Sequence, residues 1–432
     1  MGNKKYLFLF IMSVLFFGTG LFLMPLSARA DEPLVIVIDP GHGGENLGAQ
    51  YEGYVEKEMT MRVARAMQEE LCKYEGVEVY LTHDTDEDMS LKERAAFAGD
   101  IGADFLFCLH FNSSENHNYF GAEVWVPGRG SYYAKGYSFA QIQMQALESL
   151  GLYSRGIKTR LNDRDEDYYG ILRHCTEEGV PSALIEHCHL DHEKDEKFYR
   201  QGTGQLEELG RLDATAAAKY FQLKSEILGV DYSNFPVPET AVPQGLVRPD
   251  KTGPQLCSIE VSAVNEDTGE ITVHMEAEDP DSYILYYNYS LDGGNYYFMP
   301  EEWPRPEAWD RSAREIEFTI KIPFGQEVSL CAGACNGFDV WAQSNTILVG
   351  PIPDPVKLQE ELLQAQENAL RKAQEQYEEI HHEEPAAVTD EEARRSMAVF
   401  WGILAGIALL MVSITWIMVK MLFLLRKGSR KR

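Results

Sequence analysis

Three apolar runs, each ending on a metal-binding type of side chain, limit what this chain can fold into. VIVIDPGHGG runs into His42, FLFCLHFN into His110 and SALIEHC into Glu186. The cores VIVI, FLFCL and SALI lack clean apolar–polar alternation, which is expected of strands covered on both faces. Helix-period segments lie between them, so residues 31–223 are expected to form an α/β domain with a mixed, mostly parallel sheet and helices on both faces. The predicted strands are Val35–Asp39, Val77–Thr82, Phe105–Phe111, Ala122–Val126, Gly170–Arg173 and Ser182–His187. The predicted helices are Lys57–Tyr74, Leu91–Ile101, Tyr133–Leu150 and Gln205–Phe221. In such sheets ligands gather at the carboxyl ends of strands.

His42, Glu56 and His110 together make a two-imidazole, one-carboxylate donor set, the composition of a zinc site that keeps a fourth position open. Gly41, Gly43 and Gly44 flank His42 and permit a tight turn after the first strand. Taken singly, each histidine is more often a satisfied structural residue; as an ordered set they point to one Zn²⁺ ion. Glu186 is the further carboxylate that such chemistry requires as a proton acceptor. Its competing reading is an ion-paired carboxylate at a strand end.

These residues sit in ordered motifs: DPGHGG, then G-x-x-E-K at Gly53–Lys57, L-x-x-R at Leu91–Arg94, A-D-F-x-x-x-L-H-x-N at Ala103–Asn112 and P-x-A-L-I-E at Pro181–Glu186. From about Leu34 to Phe221 the chain resembles the zinc-dependent N-acetylmuramoyl-L-alanine amidases, the type 3 amidase family. The resemblance implies zinc ligation by His42, Glu56 and His110, catalysis by Glu186, and peptidoglycan as substrate, cut between N-acetylmuramic acid and L-alanine. Two other functions stay open, a catalytically silent wall-binding scaffold and another zinc peptidase. HCHLDH after Glu186 departs from the family, whose members usually show Gly-Phe followed by Asn, and His83 replaces a common Arg. His187, His189 and His192 are expected to be exposed rather than a second metal site, and Cys188 to be a buried thiol. Asn112 either bonds substrate or caps its loop, and Arg94 anchors its helix. Arg155-Gly156 and Asn162–Asp167 are read as a polar loop, with a role in lining the peptide groove as its less favoured reading. The stretch Ser113–Gly121 is too short for the autoinhibitory helix of some relatives.

Outside that domain the pattern changes. Residues 1–30 read as a signal peptide, with Lys4 and Lys5, an apolar stretch and Ala28-Arg29-Ala30 before the cleavage point. Residues 224–254 form a Pro-rich linker. Residues 255–351 show successive short strands, among them SIEVSAV, ILYYNYS, YYFM and VSLCAGA, which suits a small all-β immunoglobulin- or fibronectin-III-like sandwich. A partner at this sandwich is possible in principle, and its tyrosines fit strand packing better than sugar stacking. Residues 352–395 are expected to form a charged helical stalk, in which residues 356–382 suit a solvated spacer better than a seam for weak self-association. Residues 396–420 suit a transmembrane helix, followed by the basic cytoplasmic tail 421–432. This places the catalytic and β domains outside a cell membrane that the chain crosses once. The net charge of −29 argues against nucleic acid as a partner. Seven cysteines are too few for a disulfide scaffold, with Cys331 and Cys335 the local candidates for a pair.

Overall fold

The computed structural model describes residues 33–200, 202, 204–305, 310–381, 391, 393–406 and 409. The expected signal peptide, and most of the expected membrane span with its basic tail, lie outside these residues. Among the described residues no helix is long and apolar enough to cross a membrane.

The described residues from Pro33 to Ile352 form one compact unit. Its first half is built on a six-stranded sheet. In chain order the elements are β1 (Leu34–Pro40), α1 (Glu56–Leu71), β2 (Val77–Leu81), α2 (Leu91–Asp100), β3 (Phe105–Asn112), β4 (Ala122–Trp125), α3 (Gly130–Ser149), β5 (Ser154–Lys158), α4 (Gly170–Glu177), β6 (Ser182–His189) and α5 (Gln205–Tyr220). The strand order is β2-β1-β3-β6-β4-β5. All neighbours run parallel except β4 and β6, which are antiparallel.

The missing alternation in the strand cores now has its cause. Ile36, Ile38, Phe105, Phe107 and Leu109 enter one apolar cluster with side chains of α1, α3 and α5. Val37, Leu106, Cys108 and Leu184 point the other way, into a second cluster with Ala95, Ala98, Ile171, Leu172 and Cys175 of α2 and α4. Both faces are dry, so both sets of positions must be apolar. Helix α2 begins where the sequence supplies a reciprocal cap: Ser90 Oγ accepts from the Glu93 amide while the Glu93 carboxylate accepts from the Ser90 amide.

Two expectations are corrected. Gly170–Arg173 is the start of helix α4 rather than a strand, because Ile171, Leu172 and Cys175 are spaced to bury one helical face. Arg155-Gly156 lies in the fully buried edge strand β5, not in an exposed groove loop. Its side chains are polar because they satisfy buried charges, so no hydrophobic signal marks the strand.

The segment after α5 is strapped onto the first half rather than free. Leu228, Val230, Tyr232, Phe235 and Val237 pack against its core, and the Val247 amide donates to the Gly128 carbonyl at 2.7 Å. Two antiparallel sheets follow and enclose one core that includes Ile271, Val273, Met275, Trp303, Leu330 and Ala332. One sheet is β7 (Leu256–Asn265), β8 (Glu270–Glu278) and β10 (Glu315–Lys321). The other contains β9 (Ile284–Ser290), β11 (Val328–Asn336), β12 (Trp341–Gln343) and β13 (Ile347–Val349). YYFM forms no strand; the short strand beside β9 is Glu301–Glu302 instead. Cys331 and Cys335 are both buried on β11 and all seven cysteines are free thiols. Four residues apart on an extended strand, those two sulfurs are too distant to bond.

The second unit, from Pro353, is described by α6 (Pro355–His381) and a helical stretch that includes residues 393–406. Leu358, Leu362, Leu363 and Leu370 on α6 are exposed.

Candidate active site

Strand β1 delivers His42 into a left-handed turn, with φ of 69° at His42, 129° at Gly43 and 58° at Gly44. A side chain on Gly43 would meet the Glu87 carbonyl at 2.6 Å, so this position needs glycine on steric as well as conformational grounds. Helix α1 starts on Glu56, and β3 carries His110. The three side chains converge in a cleft of about 860 Å³, which Glu186, Asn112 and Arg94 also line. Their candidate donor atoms all lie within 4.8 Å of one another. Glu56 Oε2 is 2.9 Å from His42 Nε2, and Glu56 Oε1 is 2.9 Å from His110 Nδ1. The amides of Ala49 and Phe111 donate to the same two carboxylate oxygens at 2.8 and 3.0 Å.

Burial alone would raise the Glu56 carboxyl, but His110 and His42 outweigh it and hold it well below the ordinary range. Burial likewise opposes charge on His42, and the Glu56 carboxylate reverses this to raise its pKa. His42 Nδ1 lies 3.0 Å from Asn46 Oδ1, an arrangement that puts the ring proton on Nδ1 and frees Nε2 to ligate. Two imidazoles and one carboxylate, preset around a shared point in an open cleft, fit a zinc ion with room for a water.

Glu186 pairs in register with His110 on one side and Glu123 on the other. It is only 8% exposed, and its Oε2 has no hydrogen-bond partner among the described residues. Burial, reinforced by the Glu56 and Glu123 carboxylates, pushes its carboxyl well above the usual range. This is not the ion-paired strand-end carboxylate of the alternative reading.

Arg94 anchors more than its own helix. It donates to Asp39 Oδ1 and the Pro40 carbonyl at 2.8 Å each, and to the His42 carbonyl at 2.7 Å. It therefore clamps the turn that aims His42. Arg94→Lys cannot reproduce this fork, and we expect metal affinity to fall about 10- to 100-fold. Chelator competition on the two proteins measures the change; equal affinities would show that the turn holds without the clamp.

The departures after Glu186 are structural. His187 and His189 are buried, contrary to expectation, because β6 continues through His189, and His192 is buried beyond the strand against the Phe120 ring. His187 donates from Nδ1 to the His110 carbonyl at 3.0 Å and pairs through Nε2 with Asp213 at 2.7 Å, both side chains being fully buried. This pair, invisible in the sequence, supports the strand that carries His110. Cys188 is the buried thiol expected. Asn112 caps its loop: Oδ1 accepts from the Ser113 amide, while Nδ2 donates to Glu123 at 2.8 Å and the residue lines the cleft.

His189 is held neutral: burial, followed by the Arg155 charge, lowers its pKa to about 3. A depressed folded-state value contributes stability above the unfolded pKa near 6.5, lost as pH falls toward 3. Neighbouring Asp195 opposes this, since burial raises its carboxyl to about 6 and its contribution grows as pH falls from 6 to its unfolded value near 3.8. Between pH 6 and 4 the two slopes nearly cancel in the wild type. His189→Gln removes one of them, so its stability relative to wild type should rise by about 1.4 kcal/mol per pH unit on acidification across that range. Urea unfolding at each pH reads the difference; parallel curves would exclude His189 as the titrating group.

The fold and the site define a class, an α/β domain in which three candidate metal donors, His42, Glu56 and His110, converge in a cleft beside the sheet. A family model described as N-acetylmuramoyl-L-alanine amidase matches residues 36–211. The sporulation-specific N-acetylmuramoyl-L-alanine amidase of Bacillus subtilis is 30% identical over 193 residues, covering 44% of this chain and 69% of that protein. N-acetylmuramoyl-L-alanine amidase CwlM of Bacillus licheniformis is 29% identical over 191 residues, with the same coverage of 44% and 69%. Among solved structures, the catalytic domain of the amidase CwlV from Bacillus (Paenibacillus) polymyxa is 26% identical and covers 44% of this chain and 99% of its own, with a TM-score of 0.38. Through its N-terminal half, this chain belongs to the type 3 N-acetylmuramoyl-L-alanine amidase family.

Proposed function

We propose that this protein is a peptidoglycan hydrolase that cleaves the amide between N-acetylmuramic acid and the L-alanine of the stem peptide. The observation that carries this reading is one cleft holding the convergent His42, Glu56 and His110 donors beside a buried carboxylate oxygen of Glu186 that has no partner among the described residues. His42, Glu56 and His110 would hold one zinc ion, which when bound lowers the pKa of water and polarises the amide carbonyl. Glu186 takes the proton from the attacking water and hands it to the departing alanine nitrogen. Its burial at the base of the cleft limits leakage of that proton to solvent. Asn46 fixes the His42 ring, and Arg94 fixes the turn beneath it.

The apolar run Met397–Val419 and the basic tail support a single-pass anchor that leaves the active site on the outer side of a cell membrane. Helix α6, at 27 residues, would span about 40 Å and act as a spacer.

Mass spectrometry of purified peptidoglycan treated with the full chain and zinc tests the activity. Stem peptides with new L-alanine amino termini are the expected product. Released terminal amino acids would identify a carboxypeptidase. Intact wall in the presence of folded, metal-loaded protein would identify a binding scaffold.

A further inference from the structure

The cleft does not end at the first half of the molecule. Beyond Asn112, Ser113 and Tyr169, which line both spaces, it continues into a second cleft of about 520 Å³. The far wall of this extension is Lys251 of the strap together with Phe338 and Asp339, in the turn between β11 and β12.

That wall is built rigidly. Asn336, fully buried, accepts from the Phe338 and Val340 amides and so shapes the turn. The same side chain donates to Asp250, the Thr252 carbonyl and Asp279, tying the turn to the strap. Asp339 is gripped by Arg155 of β5 through two bonds of 2.8 and 2.9 Å. Arg155 in turn donates to Glu123, whose other oxygen accepts from Asn112 at the junction of the two clefts. Tyr119, Phe120 and Tyr153 of the first half pack with Tyr283, Tyr286 and Trp341 of the second, and the Trp341 indole donates to the Tyr119 hydroxyl.

The charge inside the extension is also informative. Its acids Glu123, Asp250 and Asp339 are committed to the partners just named, leaving Glu115 at the exposed rim. Lys251 and Arg160 are exposed and form no ion pair among the described residues; Arg160 lies over the Tyr168 ring at 3.8 Å. On a chain of net charge −29, the exposed Lys251 at the mouth of a preformed cleft, with Arg160 held over Tyr168 beside it, offers a carboxylate a cationic partner.

We propose that the β domain is one wall of the substrate groove, and that Lys251, with the Phe338–Asp339 turn, forms a subsite for a carboxylate-bearing segment of the substrate peptide. The proposal rests on the amidase reading for the identity of the peptide. It makes the second domain part of the substrate site rather than an independent module.

Calorimetric binding to the full chain tests this without requiring turnover. The probes are a synthetic stem tetrapeptide with free carboxylates and its fully amidated counterpart. Wild type is expected to favour the acidic peptide. Lys251→Glu and, from the second domain, Phe338→Glu should each weaken that binding about tenfold while changing the amidated peptide little. Lys321→Glu, the same charge reversal at an exposed strand end outside the cleft, should change neither. Acidic-peptide affinities within about twofold of wild type for both cleft variants, or no preference by wild type, would overturn the subsite. Absence of L-alanine-terminated products from wild type would instead strike the amidase reading, so the two failures are separable.

Discussion

Glu186→Gln is expected to keep the fold and the metal while turnover falls by about 10²- to 10⁴-fold, the usual worth of a positioned proton carrier. The substitution keeps the shape of the side chain and removes only its ability to accept the proton. Loss of stability is not expected, because the wild-type carboxyl is buried beside Glu56 and Glu123 and bears an oxygen without a partner among the described residues. Metal content by elemental analysis and product formation on the same preparation separate the two effects. Unchanged turnover with zinc retained would remove Glu186 from the chemistry. Parallel loss of metal and activity would instead make it part of the metal site.

Arg155→Ala should cost about 3–5 kcal/mol, the range found when one partner of a buried ion pair is removed. Arg155 is 2% exposed and bonds to Glu123, Tyr286 and Asp339 at once. Lys158 remains beside Glu123 at 2.8 Å and reaches Asp339 only at 3.9 Å, so it keeps part of the charge link between the two halves without the two-bond grip of the guanidinium. Urea unfolding should therefore show a lower midpoint and a transition that separates into two, one for each half. A loss below about 1 kcal/mol would mean that the aromatic contacts of Tyr153, Tyr283 and Tyr286 carry the interface without the charges.

Most parts of the site that were legible in the sequence lie within three residues of strand ends. His42, His110 and Glu186 follow apolar runs whose burial on both faces places their successors at the sheet edge. Glu56 was legible through its motif and its place at the start of a helix. The supporting residues were less visible. Glu123 interrupts the apolar run AEVW, and a charge in such a run is a signal that it has a buried partner. Its partner Arg155 could not be located, since SRGIK carries no strand periodicity. Asp213, inside the buried face of α5, is in the same position: its role depends on His187, 26 residues away.

Local sequence determined the sheet, the helices that cover it, the donor set and the family, because each rests on periodicity or on short-range motifs. Only the tertiary structure decided that His187, His189 and His192 are internal, that Arg94 clamps the His42 turn, and that the strap and second domain continue the active-site cleft. Those outcomes depend on pairing buried charges between segments as far apart as Arg155 and Asp339, 184 residues away in the chain. A buried charge must find an opposite partner or lose its charge, but nothing in the local pattern specifies which distant segment supplies that partner.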